Sequence, residues 1–159
     1  MKQILVFGHK NPDTDSICSA ISFAELKNAQ GVNVIPCRLG NVSKETQFAL
    51  NHFGAEAPLF IENVNADENG KKEVILVDHN EKAQTADGIE SAKILEVVDH
   101  HKFALTTDEP LKITADTVGC TCTLIYRLFK QAGITPSKKA AGLMMSAIIS
   151  DTLLFKSPT

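Results

Sequence analysis

The sequence predicts an α/β fold, a mostly parallel β-sheet with helices on both faces. Short runs of aliphatic and β-branched residues alternate with longer segments whose apolar residues recur at helical spacing, and this alternation is typical of parallel sheets. Three of the apolar runs also end in polar loops rich in Asp or His. Because open α/β sheets bind ligands at the carboxyl ends of their strands, these loops are the candidate functional site.

The first strand is predicted at residues 4–8, and the loop after it carries His9, Asp13 and Asp15. Pro12 disfavours helical geometry at the residue before it, so we expect a turn here and a helix that begins near residue 15. A turn lets both carboxylates converge, whereas on a helix two residues advance by about 200°. The loop alone leaves two interpretations open, a metal site and a simple helix cap.

The following segments continue the alternation of helices and strands. Apolar residues recur at helical spacing after the first loop, and Gly31 and Ser43 are residue types that end and begin helices. The predicted elements are a helix up to Gly31, a strand at residues 32–36, a helix from Ser43 to Gly54, a short strand at 58–61 and an exposed polar loop at 63–72.

Two further buried strands end in possible metal ligands. The run at residues 74–77 is followed by Asp78, and the run at 94–98 is followed by Asp99, His100 and His101. Histidine is a poor helix cap, so three independent caps do not explain this repeated pattern. The pattern instead indicates a cluster of ligands at one edge of the sheet.

A loop with a short strand at residues 111–113 precedes the third helix, which begins between residues 117 and 121 and ends at Gly133. The unpaired N–H groups of its first turn could hold an anion. Capping of the helix by Thr121 or Thr123 explains the polar residues at its start equally well, and we favour that interpretation.

The last helix begins near residues 135–137, and its apolar residues at 140–149 cover all faces, which predicts a buried helix. Asp151 follows directly. A carboxylate at the negative end of a buried helix is destabilised by the helix dipole and by low dielectric, and a nearby cation would reverse both effects. Exposure of Asp151 to solvent is the alternative.

The composition disfavours several classes of protein. A chain of 159 residues that is 43% hydrophobic fits one globular domain, and its net charge of −3 lacks the basic footprint of a nucleic-acid binder. The four cysteines form no CxxC pair, so we expect reduced and mostly buried thiols. With no signal peptide and no apolar run long enough to span a bilayer, we expect a cytoplasmic protein without membrane contact.

Together the loops offer four carboxylates and two imidazoles, from His9, Asp13, Asp15, Asp78, His100 and Asp151. Oxygen and nitrogen ligands without thiolates suit a hard or borderline divalent ion, Mn²⁺ more than Zn²⁺. Six side chains are too many for one ion that keeps an open position, but they suit two ions that share bridging carboxylates. Such a pair is suited to phosphoryl transfer to water.

The sequence also resembles the family II inorganic pyrophosphatases of the DHH phosphoesterase superfamily. The similarity rests on five motifs in the family order, at residues 8–16, 77–81, 98–101, 118–121 and 150–159. It implies a Rossmann-like DHH domain that hydrolyses pyrophosphate to two phosphates. The motifs at 77–81 and 150–159 favour a pyrophosphatase over its relatives.

The resemblance implies a division of the ligands between two Mn²⁺ ions, with Co²⁺ as an alternative metal. His9 and Asp13 would bind one ion, and Asp15 and His100 would bind the other. Two further carboxylates, Asp78 and Asp151, would each bridge the pair. Additional Mg²⁺ would accompany the substrate.

Two neighbouring residues would serve catalysis by the same resemblance. His101 would donate a hydrogen bond to a phosphate oxygen of pyrophosphate, and Asp99 would hold the loop or the histidine ring in place. Both lie at the end of the same predicted strand.

Family members continue into a second domain with a basic substrate-binding cluster, so residues 1–159 are expected to be an N-terminal catalytic domain without that C-terminal domain. We expect such a chain to bind Mn²⁺ or Co²⁺ but to be weak or inactive alone, because losing a charged donor commonly costs about 10²–10³ in rate. Whether it forms a homodimer is open. The alternatives are a phosphodiesterase of the same superfamily, acting on short oligonucleotides or cyclic dinucleotides, and a metal-binding module without catalysis.

Overall fold

The computed structural model describes residues 3–157, which contain a six-stranded sheet. The strands are β1 (Ile4–Phe7), β2 (Val34–Arg38), β3 (Leu59–Phe60), β4 (Glu73–Val77), β5 (Lys93–Asp99) and β6 (Lys112–Ala115). Their order across the sheet is β3-β2-β1-β4-β5-β6, and every pairing between these strands is parallel. The predicted α/β class with a parallel sheet is therefore confirmed.

Across the described range 3–157, four α-helices connect or follow the strands, and three of them begin at a side-chain cap. They are α1 (Thr14–Ala29), α2 (Lys44–His52), α3 (Thr121–Gln131) and α4 (Lys138–Asp151). Asp13, Ser43 and Ser137 cap α1, α2 and α4 by accepting a backbone hydrogen bond from the first turn. Within residues 3–157, no helix is long and apolar enough to cross a membrane. The last two residues of the motif at 150–159 lie outside the described range.

All four α-helices lie on one face of the sheet, which differs from the expected distribution over both faces. Their buried residues share a core with Val6, Ile75, Val77 and Val98 of the strands. Right-handed crossovers from β1 to β3 place α1 and α2 on this face, while the crossovers from β4 to β6 run in the opposite direction and cover the other face. Those later connections contain only short 3₁₀ helices, at Lys82–Gln84 and Ile89–Ser91.

The second face of the sheet is covered by these connections and by the connection between β3 and β4. Phe7, Leu76 and Val97 of the strands pack there with loop residues such as Val64 and Ala86. The loop at residues 63–72, predicted to be exposed, therefore contributes Val64, whose side chain is fully buried. An apolar residue within a polar loop anchors that loop to the sheet.

Helix α4 is buried on one side only, so the prediction of a fully buried helix is wrong. Leu143, Met144 and Ala147 are buried, but Met145 is 52% exposed and Ala141 is also exposed. The helix packs mainly against α1 and lies in the outer layer, so its far side faces solvent. The apolar residues on that side are small or flexible and do not mark a buried face.

The sheet reverses its strand order between β1 and β4, and this reversal creates the site. The chain leaves β1 toward one edge and leaves β4 toward the other, so the loops after these two strands diverge and leave a crevice. Gly8 lets the start of α1 approach β1 closely, because a Cβ atom there would lie 2.0 Å from Ser16 Oγ. The first loop is thereby held over the carboxyl ends of β1 and β4.

Candidate metal centre

The structure places the predicted site residues at the carboxyl ends of three strands and at the ends of two helices. His9 follows β1, Asp78 follows β4, and Asp99 is the last residue of β5, with His100 and His101 directly after it. Asp13 caps α1, Asp15 lies in its first turn, and Asp151 is the last residue of α4. The topology thus brings together residues that are up to about 140 positions apart in the sequence.

All six predicted metal ligands fall into two groups whose ligand atoms lie within 4.8 Å of one another. One group contains His9, Asp13 and Asp78, and the other contains Asp15, His100 and Asp151. Asp78 also forms a group with His100 and His101, so its carboxylate lies between the two sets. The bridging roles of Asp78 and Asp151 stay predictions.

The two oxygens of Asp78 face different histidines. Oδ2 lies 3.4 Å from His9 Nε2, and Oδ1 lies 3.5 Å from His100 Nε2. The hydroxyl of Thr121 donates to Oδ1 at 3.0 Å. Asp78 has a positive φ of 59°, which turns the chain sharply after β4, and aspartate tolerates this conformation better than most residues.

Both histidine rings are oriented by a backbone carbonyl on the side away from the carboxylates. His9 Nδ1 lies 2.8 Å from the carbonyl of Lys10, and His100 Nδ1 lies 2.7 Å from the carbonyl of Val118. Each carbonyl can only accept, so Nδ1 carries a proton and donates it. The Nε2 atoms then face the cluster. The hydrogen bond from Nδ1 to a carbonyl is the contact that metal-ligating histidines usually make with their other ring nitrogen.

Without an ion, the histidines of the cluster bind protons strongly. Burial opposes protonation of His9, but hydrogen bonds with Asp13 and Asp78 outweigh it and raise its pKa to about 11. Burial likewise opposes protonation of His100, and the hydrogen bond with Asp78 raises its pKa to about 9. Burial alone would raise the pKa of Asp78, yet these same histidines hold it below its usual range. Protonated histidines therefore place positive charge beside Asp78.

The carboxylates of the second group repel one another. Asp15 is completely buried, and desolvation together with the charges of Asp78 and Asp151 raises its pKa well above the usual value. Desolvation, Asp13 and Asp78 raise the pKa of Asp151 to about 6. A divalent cation removes both penalties, so this donor set fits a metal such as Mn²⁺.

Asp15 also caps a helix that is distant in the sequence. Its Oδ2 accepts a hydrogen bond from the backbone N–H of Thr121 at 2.6 Å, and its Oδ1 accepts from the N–H of Cys122 at 3.0 Å and from Ser19 Oγ at 3.0 Å. The preference for capping by Thr121 or Thr123 is therefore wrong. The hydroxyl of Thr121 contacts Asp78 instead, and the N-terminus of α3 holds an anion from within the protein.

His101 and Asp99 form a pair beside the cluster. Asp99 Oδ1 accepts from His101 Nδ1 at 2.8 Å and from its backbone N–H at 3.2 Å. Asp99 is fully buried, whereas the side chain of His101 is 51% exposed. The hydrogen bond with Asp99 raises the pKa of His101, so the exposed edge of the ring can donate a proton or a hydrogen bond.

Asn80 is a structural contributor to the site that sequence reasoning did not assign. Its side chain donates to Asp99 Oδ2 at 2.6 Å and to the carbonyl of Lys102 at 2.9 Å, and it accepts from the N–H of Ala104 at 2.6 Å. Three hydrogen bonds thus fix the loop that carries His101. The sequence feature that could have indicated this role is the position of Asn80 two residues after Asp78, within the motif at 77–81.

The cysteines behave as expected. All four are free and buried, which confirms the prediction of reduced internal thiols. Cys120 and Cys122 lie near Asp15 at the start of α3 and surround it with poorly polar groups. Hydrogen bonds with these two thiols lower the pKa of Asp15 and so oppose part of the effect of its burial.

Comparison with known proteins agrees with the geometry. Curated proteins of Bacillus cereus, Bacillus anthracis and Bacillus thuringiensis subsp. konkukian, named as probable manganese-dependent inorganic pyrophosphatases, are each 56% identical over the whole chain. The match covers 51% of each relative, so the chain spans about half the length of these curated relatives.

Solved structures share the same fold. A Methanococcus jannaschii protein assigned to the family II inorganic pyrophosphatases superimposes with a TM-score of 0.85 at 45% identity, covering 98% of this chain and 50% of that one. An exopolyphosphatase-related protein from Bacteroides fragilis shares the fold with a TM-score of 0.73 at 19% identity, over 99% of this chain and 48% of its own. The model of the DHH family, N-terminal domain, matches residues 3–148, and the chain therefore belongs to the DHH family.

Proposed function

We propose that this chain is the metal-binding catalytic domain of a manganese-dependent inorganic pyrophosphatase that binds two Mn²⁺ ions. The observation that carries the proposal is the position of Asp78, whose two oxygens face His9 and His100 in two adjacent ligand groups. The names of the relatives at 56% identity support pyrophosphate as the substrate. Oxygen and imidazole donors support Mn²⁺, with Co²⁺ as a second metal that such a site accepts.

When bound, a pair of divalent ions activates water as a nucleophile and neutralises charge on the phosphate oxygens. The residues that would hold the ions are His9, Asp13, Asp15, Asp78, His100 and Asp151. Their own contribution is preorganisation, because backbone carbonyls fix both imidazole rings and α3 fixes Asp15 before any ion arrives.

His101 would contact the substrate directly. Its ring is half exposed beside the cluster and is held by the buried Asp99, so its free edge can donate to an oxygen of pyrophosphate. A charged donor placed where negative charge develops commonly contributes a factor of about 10²–10³ in rate. Asp99 acts through His101 by fixing the ring and keeping it protonated.

Pyrophosphate needs more cationic contacts than this site supplies. The relatives are about twice as long as this chain, and we propose that their second half provides the remaining substrate contacts and is where additional Mg²⁺ enters with the substrate. The 159-residue chain alone is then expected to bind Mn²⁺ and to hydrolyse pyrophosphate at least about 10²-fold more slowly than a protein of the relatives' length.

The test is a parallel assay of two substrates. A protein of the relatives' length that carries this chain is supplied with Mn²⁺ and either pyrophosphate or a dinucleotide, and phosphate or mononucleotide release is measured. Mn²⁺-dependent release from pyrophosphate alone supports the proposal. Cleavage of the dinucleotide in preference to pyrophosphate would favour a phosphodiesterase, and Mn²⁺ binding without either reaction would favour a non-catalytic module.

A further inference from the structure

Glu45 joins two segments of the metal centre that are distant in the sequence. It lies in the first turn of α2, and its Oε1 accepts hydrogen bonds from Thr14 Oγ1 at 2.5 Å and from Ser150 Oγ at 2.6 Å. Thr14 separates the two aspartates of the first loop, and Ser150 directly precedes Asp151. A single carboxylate oxygen therefore connects the start of α1 with the end of α4.

The hydroxyl groups around Glu45 form a directed chain of hydrogen bonds. Thr14 donates its only hydroxyl proton to Glu45, so it accepts from Thr46 Oγ1, which lies 3.0 Å away. Thr46 in turn lies 2.9 Å from the hydroxyl of Ser43, the cap of α2. Every hydroxyl in this series of hydrogen bonds donates in the direction of Glu45. The series therefore needs an acceptor at residue 45, and a carboxylate can only accept.

The two segments carry metal ligands that must stay close together. Asp15 and Asp151 belong to the same candidate ligand group. They lie on different helices, so only side-chain contacts and packing hold the carboxylates within ligand distance of each other. The hydrogen bonds of Glu45 with Thr14 and Ser150 lie directly beside these two carboxylates in the sequence.

We propose that Glu45 is a positioning residue for the metal centre, which holds the start of α1 and the end of α4 at the spacing that a divalent ion requires. The inference rests on the proposed function. Among residues 3–157, Glu45 belongs to none of the candidate ligand groups, so its role is to position the ligands. Outer residues that orient metal ligands typically contribute factors of about 10–100 in metal affinity.

The chain contains a matched control for this role. Glu25 accepts hydrogen bonds from the backbone N–H and the hydroxyl of Ser137, both at 2.7 Å, and it also joins α1 to α4. Glu25 lies 11 residues beyond Thr14, about 16 Å along the helix axis, at the end of the helix pair remote from the ligands. Glu45 is exposed and Glu25 is partly exposed, and both connect the same two helices.

The experiment compares Mn²⁺ affinity in Glu45→Ala, Glu45→Gln and Glu25→Ala variants of the full chain. Free Mn²⁺ is measured by electron paramagnetic resonance during titration, and urea unfolding of the metal-free proteins gives the stability of each variant. We expect Glu45→Ala to lose about 10- to 100-fold in Mn²⁺ affinity, Glu25→Ala to stay within about twofold, and both to lose similar stability. Glu45→Gln keeps an acceptor oxygen and should recover most of the affinity.

Equal effects of Glu45→Ala and Glu25→Ala on Mn²⁺ affinity would overturn the inference. If Glu45→Ala does not fold, Ser150→Ala replaces it, and a loss below about threefold in Mn²⁺ affinity would overturn the inference in the same way. Pyrophosphate turnover is recorded separately, with a protein of the relatives' length that carries this chain. Absent turnover with intact Mn²⁺ binding contradicts the proposed function but leaves the comparison of the two glutamates valid, and absent Mn²⁺ binding contradicts both.

Discussion

Asp78 Oδ1 lies 3.5 Å from His100 Nε2, while the other oxygen of the same carboxylate faces a different histidine. One residue directly after β4 therefore connects two groups of candidate ligands, one from the first loop and one from the ends of β5 and α4. This position follows from the reversal of strand order between β1 and β4.

Replacing Asp78 by Asn should remove the shared ligand. The amide keeps the shape but offers one weak oxygen donor and no charge, so neither ligand group is complete. We expect Mn²⁺ affinity to fall by more than about 100-fold, because loss of an outer contact alone costs about 10–100-fold. Isothermal titration with Mn²⁺ measures this. Unchanged affinity in Asp78→Asn and in His100→Ala would show that the ion does not bind between these residues.

Mn²⁺ affinity should rise with pH between about 6 and 8. In the metal-free protein His9 and His100 have pKa values of about 11 and 9, so both are protonated in this range, and an ion at Nε2 must displace those protons. Because binding releases protons, a higher pH favours the complex by at least about tenfold for each pH unit. Titrations at three pH values in matched buffers test this. Affinity that does not change with pH would contradict histidine ligation.

Replacing His101 by Ala should slow hydrolysis without removing the metal. The side chain is half exposed, and its Nδ1 is engaged by Asp99 at 2.8 Å, so we expect Mn²⁺ affinity to stay within about threefold although His101 lies beside Asp78 and His100. The lost donor should lower kcat for pyrophosphate by about 10²–10³. Steady-state phosphate release at saturating Mn²⁺, measured in a protein of the relatives' length that carries this chain, gives both kcat and KM. A full kcat in this variant would exclude a catalytic role for His101.

Replacing Asn80 by Ala should destabilise the protein and loosen the loop after β5. The side chain is buried, and its removal leaves a hydrogen-bond donor or acceptor unpaired at Asp99, Lys102 and Ala104. We expect a loss of about 2–4 kcal/mol in the free energy of unfolding, since each buried unpaired group costs about 1–3 kcal/mol. Urea denaturation of the metal-free chain measures this, with Asn51→Ala on the exposed face of α2 as the control.

Residue types and strand ends were sufficient to predict the parallel α/β class and the ligand cluster. The cluster could be inferred because a residue that directly follows a buried strand of a parallel sheet lies at the carboxyl edge of that sheet. His9, Asp78 and His100 meet for that reason. Family resemblance added the division of ligands between two ions, which spacing along the chain does not determine.

Other features depend on contacts between residues that are distant in the sequence. The first turn of α3 is capped by Asp15, more than 100 residues earlier, so local residues suggested Thr121 instead. The one-sided packing of helices depends on what fills the crossovers after β4, and Met145 showed that an apolar helix face can remain exposed. Asn80 and Glu45 act through hydrogen bonds whose partners become neighbours only in the folded chain.

The measurement that tests the central claim most directly is the number of Mn²⁺ ions bound per chain. Equilibrium dialysis against micromolar Mn²⁺, followed by elemental analysis, counts the tightly bound ions, and electron paramagnetic resonance detects magnetic coupling between neighbouring ions. The arrangement of His9, Asp78 and His100 predicts two ions per chain that are magnetically coupled through a shared ligand. One ion per chain, or two without coupling, would contradict the two-ion centre.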